Sequence, residues 1–377
     1  MIALAGTSLN IKCPVVGIVT TRPVNLLTRN SRILVSANIN TSFFGYACCI
    51  TSQAVTSMDT GLLVHSVSQL EMLRDGDIVL VTPEGRINIM HQSGHADHTL
   101  FITNRCNSRC IMCPQPPSDD PPDWYDINRK VLSLLKPGSL NHIGITGGEP
   151  TVVLDQLNET LMYLQKHFPD TFISLLTNGR RFRDFNAVRQ VVAARNKKLL
   201  FCIPLYADND IQHDGIVGVP GAFRDTIRGI YNLYRVGKRI EIRIVVMRQN
   251  FVRLAAIAEF IYRNLPFVAH VAFMGMEYTG EAEKHMDDLW IDSQEYSRQL
   301  YEAVWHLHRR GMNVSVYNIP LCLLETHLWR FARDSISSWK KEYLKQCDLC
   351  LMKEKCGGVF NTSAVQSRNL VPIFQQQ

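Results

Sequence analysis

The chain has 377 residues and a mass of 42.9 kDa, which is typical of two or three domains. Hydrophobic residues make up 46% and charged residues 20%, which excludes a disordered chain. The net charge is only +6, without a long basic run or a basic stripe with interleaved aromatics, so a nucleic-acid partner is not expected. No apolar stretch approaches the ~20 residues of a membrane helix, and the N-terminus lacks a secretory pattern, so we expect a cytoplasmic protein without membrane contact.

Residues 1–97 are expected to form a β-rich N-terminal domain. Short runs such as PVVGIVTT, SRILVSANI and DGDIVLVTPEGRINIM are separated by turn signals. The pairs Asp75-Gly76 and Glu84-Gly85 favour turns between antiparallel strands. A small β-barrel or β-sandwich fits this pattern.

In residues 98–317, strands alternate with amphipathic helices. Six strands, each followed by a helix, are expected at HTLFITNR, HIGIT, FISLLT, LLFCIPLY, IEIRIVVM and VAHVAFMGM, and VSVY is expected to add a seventh. Six strand–helix units in series predict an α/β fold with a parallel sheet, a partial (β/α)6 barrel similar to a TIM barrel. Ligands gather at the carboxyl ends of the strands in such sheets.

Residues 318–377 are expected to form a third, cysteine-bearing domain. The pattern here is less regular, although LWRFARDSISSWKKEYL has the appearance of a helix. Eleven cysteines are many for a chain in a reducing compartment, where structural disulfides are disfavoured. Seven of them fall in two clusters with metal-ligand spacing, whereas Cys13, Cys48, Cys49 and Cys202 are interpreted as small core residues.

The first cluster, CNSRCIMC, follows directly on the first strand of the expected barrel. Cys106, Cys110 and Cys113 can converge on one metal centre, and thiolates select zinc, Cu(I) or iron–sulfur clusters. Zinc would need a fourth ligand such as His95 or His98. A [4Fe–4S] cluster held by three cysteines instead keeps one iron open for a small molecule.

This spacing at the end of a first barrel strand resembles the radical S-adenosylmethionine (SAM) superfamily. The resemblance implies that Cys106, Cys110 and Cys113 are catalytic and hold a SAM-binding [4Fe–4S] cluster, which cleaves SAM to a 5′-deoxyadenosyl radical. It also implies that the segment GGEP (Gly147, Gly148, Glu149 and Pro150), after the second strand, grips the methionyl amine of SAM. Without the resemblance, GGEP would be an ordinary strand–helix turn.

Polar and sulfur-bearing residues at the ends of the later strands are further candidates for contacts to SAM or substrate. Asn178 follows the third strand, Arg243 lies on the fifth and would meet the SAM carboxylate if it points inward, and Met276 follows the sixth and would pack on adenine. Each also has a structural reading, such as the turn that Asn178-Gly179 commonly makes. Further polar candidates after the fourth and sixth strands are Tyr206, Asp208, His213, Asp214 and Glu277, for which a solvated loop or a structural salt bridge is the alternative.

The second cluster consists of Cys322 and the knuckle Cys347, Cys350 and Cys356, which precedes Gly357-Gly358. Four thiolates fit either a fully ligated [4Fe–4S] cluster or an all-thiolate zinc site. The pattern resembles the SPASM and shortened "twitch" extensions of radical SAM enzymes, which implies one auxiliary [4Fe–4S] cluster, because too few cysteines remain for two.

Segments such as CNSRCIMCPQPP, FMGMEYTG and CGGVF resemble the "C" radical SAM maturases of His-Xaa-Ser peptide systems. The resemblance implies a ribosomally made peptide substrate, a second radical SAM maturase as partner, and an electron donor such as flavodoxin or ferredoxin. Two other functions stay open: a radical SAM enzyme acting on a small metabolite or RNA, and a non-catalytic zinc-binding adaptor.

Overall fold

The computed structural model describes residues 3–37, 44–56, 61–118 and 124–374. It divides into two compact units. The first contains residues 1–101, 122–143 and 166–171, and the second contains residues 102–121, 144–165 and 172–377. Within the described ranges, no helix has the length and apolar character needed to cross a membrane.

The N-terminal sheet has eight strands in the order β1-β8-β7-β3-β4-β5-β6-β2. The bounds of its strands are β1 Ala3–Ala5, β2 Thr7–Leu9, β3 Val15–Thr20, β4 Arg32–Val35, β5 Cys48–Ile50, β6 Leu63–His65, β7 Ile78–Val81 and β8 Arg86–His91. The turn predicted at Glu84-Gly85 joins β7 to β8, which are antiparallel. The strands β3 to β6 pair in parallel, so the expectation of antiparallel pairing was only partly right.

Gly6 joins the two edges of this sheet. β1 pairs with β8 and β2 pairs with β6, yet only Gly6 separates β1 from β2 along the chain. A side chain at Gly6 would place its Cβ 2.5 Å from the His65 carbonyl oxygen, so glycine is required where the strand changes partner. The sheet therefore closes on itself as a barrel, one of the two forms expected.

The second sheet also has eight strands, in chain order from β9 to β16. The pairs from β11 to β16 are all parallel. The strands are β9 Asp97–Phe101, β10 His142–Thr146, β11 Phe172–Leu176, β12 Leu199–Pro204, β13 Arg239–Val245, β14 His270–Met274, β15 Val314–Tyr317 and β16 Ala332–Arg333. This curled sheet confirms the partial barrel predicted from the strand–helix rhythm.

Helices connect the strands of the second sheet. Their bounds are α1 Trp124–Leu134, α2 Leu154–His167, α3 Phe185–Ala193, α4 Asp210–Val217, α5 Ala222–Arg235, α6 Leu254–Asn264, α7 Glu281–Lys284, α8 Met286–Leu289 and α9 Ser297–His308. The helices predicted after each of the six strands are all present, with ends within a few residues of the expectation. Helices α4, α7 and α8 were not predicted from the sequence.

Residues on the strands of the second sheet alternate between an apolar face and a polar face. The apolar face consists of large side chains that are at most 2% exposed, among them Ile173, Phe201, Ile242, Val271 and Phe273. Neighbours along these strands point the other way, because side chains in a strand alternate with a period of two. The polar face carries Ser174, Cys202, Glu241, Arg243, His270, Ser315 and Tyr317.

The last part of the chain contains short elements only. β17 Lys341–Glu342 pairs with β18 Val359–Phe360 in a two-stranded antiparallel sheet. The helix expected in LWRFARDSISSWKKEYL is absent: a 3-10 helix at Thr326–Phe331 leads into β16, and a bend and a turn follow before β17. Serines at 335, 337 and 338 are weak helix formers, and the Ser335 hydroxyl donates to the distant Asn318 Oδ1 at 2.7 Å, which explains the wrong prediction.

Candidate active site

The three thiols of the first cluster lie on the loop that leaves the carboxyl end of β9. Burial raises the pKa of Cys110 to about 12, and the neighbouring charges of Cys113 and Cys106 act in the same direction. Burial likewise raises the pKa of Cys106 to about 11, with a smaller contribution from Cys113. The structure thus places Cys106, Cys110 and Cys113 in one electrostatically coupled group.

The GGEP segment at the end of β10 packs directly on the backbone that leads into this loop. The Gly148 N–H donates to the Thr103 carbonyl at 2.7 Å, and the Glu149 N–H donates to the Arg105 carbonyl at 2.8 Å. A Cβ on Gly148 would lie 2.3 Å from the Arg105 oxygen. The close backbone approach explains why glycine is needed at this strand end.

Glu149 is 1% exposed and connects the ends of two strands. Its Oε1 accepts hydrogen bonds from the Thr151 N–H, the Thr151 hydroxyl and the Thr177 hydroxyl at 3.0, 2.6 and 2.7 Å, and Oε2 accepts one from the Asn178 N–H at 2.6 Å. Burial raises the pKa of Glu149, while these hydrogen bonds oppose the shift. Pro150 starts the 3-10 helix that Glu149 caps.

Asn178 and Arg180, which follow β11, hold the cysteine loop from a second side. The Asn178 side-chain amide donates to Asn107 Oδ1 at 2.6 Å and lies 3.3 Å from the Ser108 hydroxyl. Arg180 Nη1 donates to the Asn107 carbonyl at 2.6 Å and to the Ser108 hydroxyl at 3.1 Å. Asn178 was a predicted site residue, whereas Arg180 was missed.

Two further elements complete the frame around the loop. The Arg109 and Ile111 N–H groups donate to carbonyls at the end of α4, at 3.0 and 3.1 Å. The Glu281 N–H donates to the Cys113 carbonyl at 2.9 Å, and a Cβ on the preceding Gly280 would lie 2.7 Å from that same oxygen. The loop is therefore fixed by residues that follow four different strands.

The candidates after the fourth strand take structural positions around α4. His213 is 1% exposed and accepts the Tyr206 N–H on Nδ1 at 3.3 Å, and burial lowers its pKa to about 4. Asp214 accepts the N–H groups of Gly221 and Phe223, while Asp208 pairs with Arg253 at 2.5 Å.

An apolar cluster lies against the cysteine loop. It includes Met112, Tyr206, Met247 and Met276, and Cys110 packs on it. Burial, and then the charges of the three cluster cysteines, raise the pKa of Tyr206, which keeps its hydroxyl neutral. The predicted residue Met276 thus belongs to the apolar wall of the site.

Arg243 lies on the polar face of the sheet, on the same side as Glu241. Its Nε donates to Glu241 Oε1 at 2.6 Å, and Glu241 Oε2 lies 2.8 Å from His270 Nδ1. His270 Nε2 in turn lies 3.0 Å from the Ser315 hydroxyl. Burial alone would raise the pKa of Glu241, but its partners His270 and Arg243 lower it to about 2. The Arg243 charge is therefore balanced by a neighbouring carboxylate.

The four cysteines of the second cluster also come together. Burial raises the pKa of Cys322 to about 11, and the charges of Cys356, Cys347 and Cys350 contribute. Backbone N–H groups point at the sulfurs: Leu321 lies 3.5 Å from Cys356 Sγ and Ile373 lies 3.4 Å from Cys350 Sγ. Such N–H groups stabilise the charge of thiolate ligands.

Glu277 joins the loop after β14 to the C-terminal segment. Lys340 Nζ donates to both carboxylate oxygens, at 2.8 and 2.9 Å, and the Thr362 hydroxyl donates to Oε1 at 2.5 Å. This arrangement corresponds to the structural salt bridge considered in the sequence analysis.

The donor atoms of the two cysteine groups determine which metal centre each group suits. In the part of the chain that the structure describes, no three His, Cys, Asp or Glu side chains are spaced for a single metal ion. A tetrahedral zinc would require sulfurs about 3.8 Å apart, given Zn–S bonds of about 2.3 Å. The three coupled thiols of the first group fit an iron–sulfur cluster. The four thiols of the second group, with N–H groups aimed at two of the sulfurs, suit either an iron–sulfur cluster or a zinc ion.

Comparison with known proteins identifies the domain that contains this loop. Residues 100–261 match the model of the radical SAM superfamily. These residues form a radical SAM domain. The superfamily implies a [4Fe–4S] cluster and SAM, and the match covers the carboxyl end of β9, the cysteine loop, GGEP and Arg243.

Curated relatives are distant and cover part of the chain. GTP 3′,8-cyclase from Nautilia profundicola is 26% identical over 196 residues, which are 50% of this chain and 59% of that protein. Fe-coproporphyrin III synthase from Methanosarcina barkeri is 25% identical over 228 residues, 58% of this chain and 54% of that protein. The chain thus spans little more than half the length of these relatives.

Among solved structures, SuiB from Streptococcus suis bound to S-adenosylmethionine matches with a TM-score of 0.47 and 16% identity. The match covers 59% of this chain and 51% of SuiB.

The backbone packing at Gly148 leads to a first prediction. Gly148→Ala is expected to displace the cysteine loop, because the new Cβ meets a backbone oxygen that cannot rotate away. Most of the iron bound through the loop should be lost, and the free energy of unfolding should fall by about 1–3 kcal/mol. Iron analysis and denaturant unfolding measure the two effects.

Gly215→Ala is the matched control, because Gly215 lies in α4 and a Cβ there would meet nothing within 4 Å. Alanine is the better helix former, so this variant should keep its iron and gain about 0.5–1 kcal/mol. Full iron and wild-type stability in Gly148→Ala would contradict the close packing described above.

Proposed function

We propose that this protein is a radical SAM enzyme that modifies a ribosomally made peptide, as a maturase of the His-Xaa-Ser type. The observation that carries the proposal is the cysteine loop, whose three coupled thiols are fixed by residues at the ends of several barrel strands. Such rigid fixation suits a site that must hold a reactive species in one position. When bound, the reduced cluster with SAM supplies a 5′-deoxyadenosyl radical that abstracts hydrogen from substrate.

In this proposal, Cys106, Cys110 and Cys113 ligate the cluster. The backbone of Gly147 and Gly148 offers a close approach for the methionyl group of SAM. Among the described residues, Glu149 Oε2 accepts a single hydrogen bond, which leaves acceptor capacity for an ammonium group.

The other proposed contacts lie around the same loop. Asn178 orients the loop, and Arg243, on the polar face of the sheet, would bind the carboxylate of SAM. Met276 contributes apolar surface for the adenine. The apolar wall of the site excludes water from the radical.

The proposed auxiliary [4Fe–4S] cluster would be held by Cys322, Cys347, Cys350 and Cys356. The protein supplies the N–H groups of Leu321 and Ile373 to its sulfurs. Cluster extensions of this kind favour a peptide substrate, with a second maturase and a flavodoxin or ferredoxin as partners.

A nucleotide substrate is the second candidate, because the matched relatives include a GTP 3′,8-cyclase. A nucleoside triphosphate carries several negative charges and needs several cations. On the polar face from β11 to β15, the inward-pointing Arg243 is neutralised by Glu241. This charge balance favours a substrate without a polyphosphate group.

The test is to incubate the anaerobically purified protein, SAM and a reductant with peptides encoded beside its gene. We expect formation of 5′-deoxyadenosine and a change in the mass of one peptide. The same assay with GTP in place of peptide is the control. Conversion of GTP without any change in peptide mass would overturn the peptide assignment, and zinc in place of iron would overturn the enzymatic one.

A further inference from the structure

Arg180 places a buried positive charge beside the cysteine loop. Its side chain is 12% exposed, whereas Arg183, three residues later on the same 3-10 helix, is 61% exposed. The Arg180 charge acts on both Cys106 and Cys110, lowering the pKa of each against the stronger effect of burial. Of these two arginines, only Arg180 contacts the loop.

The charge of Arg180 is incompletely compensated by the protein. Its closest carboxylate is Asp225, 3.7 Å from Nη2, and Asp225 makes its shorter contact, at 2.9 Å, with Arg183. Arg180 Nε is buried and has no hydrogen-bond partner among the described residues. A buried cation with an unsatisfied donor is costly unless a negative group lies nearby.

A cluster ligated by three thiolates provides that negative group. Such a cluster carries net negative charge, and reduction adds one more negative charge. A fixed cation beside it therefore stabilises the reduced form more than the oxidised form, which raises the reduction potential. The Nη1 contacts to Asn107 and Ser108 hold the guanidinium in place on the loop itself.

We propose that Arg180 is a positioning residue that locks the Asn107–Ser108 part of the loop and raises the reduction potential of the cluster bound there. The inference rests on the proposed function, because it requires the cluster. It assigns Arg180 a role in making the cluster reducible, beyond the ligation provided by the cysteines.

The experiment is a redox titration of the loop cluster, followed by electron paramagnetic resonance, with iron counted in each variant. In Arg180→Gln, the ratio of reduced to oxidised cluster at a fixed solution potential should fall about tenfold, a shift of about 59 mV. Arg180→Lys keeps the positive charge and should shift the reduction potential less than Arg180→Gln does. Arg183→Gln removes an exposed arginine that also pairs with Asp225, and it should leave the reduction potential at the wild-type value.

Asp225→Asn is a second variant, which is expected to shift the reduction potential in the opposite direction. It removes the countercharge of Arg180 and should raise the potential, which loss of a merely structural contact would not do. Wild-type potentials in both Arg180→Gln and Asp225→Asn would overturn the inference. If Arg180→Gln binds no iron, wild-type potentials in both Arg180→Lys and Asp225→Asn would overturn it instead. Absence of iron from the wild-type protein would refute the proposed function itself.

Discussion

Replacing Cys106, Cys110 and Cys113 together by alanine is expected to abolish reductive cleavage of SAM. The wild-type protein should contain about eight irons and eight sulfides per chain, as two [4Fe–4S] clusters, and the triple variant about half of each. The loss follows because all ligands of one cluster are removed while the second cysteine group is untouched. Iron and sulfide analysis and the yield of 5′-deoxyadenosine measure the two effects.

The fold should survive this substitution. The loop stays attached through backbone hydrogen bonds at Arg105, Arg109 and Ile111, none of which uses a cysteine side chain. Cys13→Ala is the control, because Cys13 is an exposed free thiol outside both groups. Continued SAM cleavage by the triple variant would remove the basis of the catalytic assignment.

Replacing Cys322, Cys347, Cys350 and Cys356 by alanine is expected to have the second largest effect. About four irons should remain, and SAM should still be cleaved, but the peptide should no longer be modified. The C-terminal segment should also lose order, because its elements are short and the binding energy of a metal group is folding energy in such segments. Limited proteolysis should then cleave after residue 318 far more readily than in the wild type.

The metal content of this variant also identifies the second centre. Loss of one zinc, with all iron retained, would mean that the second group is a zinc site. Unchanged peptide modification would show that the second centre is dispensable for the reaction.

The main features of the fold could be predicted from local pattern. The period-two alternation in segments such as IEIRIVVM and the repeated strand–helix order are set by burial on one face of a sheet, which sequence reports directly. Helix α4 was missed because its eight residues include Gly215 and lack a sustained apolar stripe. Its order comes from caps at Asn209 and Gly218 and from the loop it supports.

The site was predictable where chemistry is encoded in spacing, as for Cys106, Cys110 and Cys113. The role of a residue was not predictable where it depends on contacts with residues that are distant in the sequence. Arg180 contacts a carbonyl 73 residues away, and the Glu149 carboxylate is occupied by groups from the next strand. No local signal distinguishes Arg180 from its neighbour Arg181, because only the folded loop makes one of them buried.

The central claim is that three cysteines hold a cluster with one iron open to SAM. The most direct measurement is the electron paramagnetic resonance spectrum of the reduced protein before and after addition of SAM. We expect the signal of one cluster to change on addition of SAM, and that signal to be absent from the Cys106/Cys110/Cys113 alanine variant. A spectrum that SAM leaves unchanged, in a protein that contains both clusters, would contradict it.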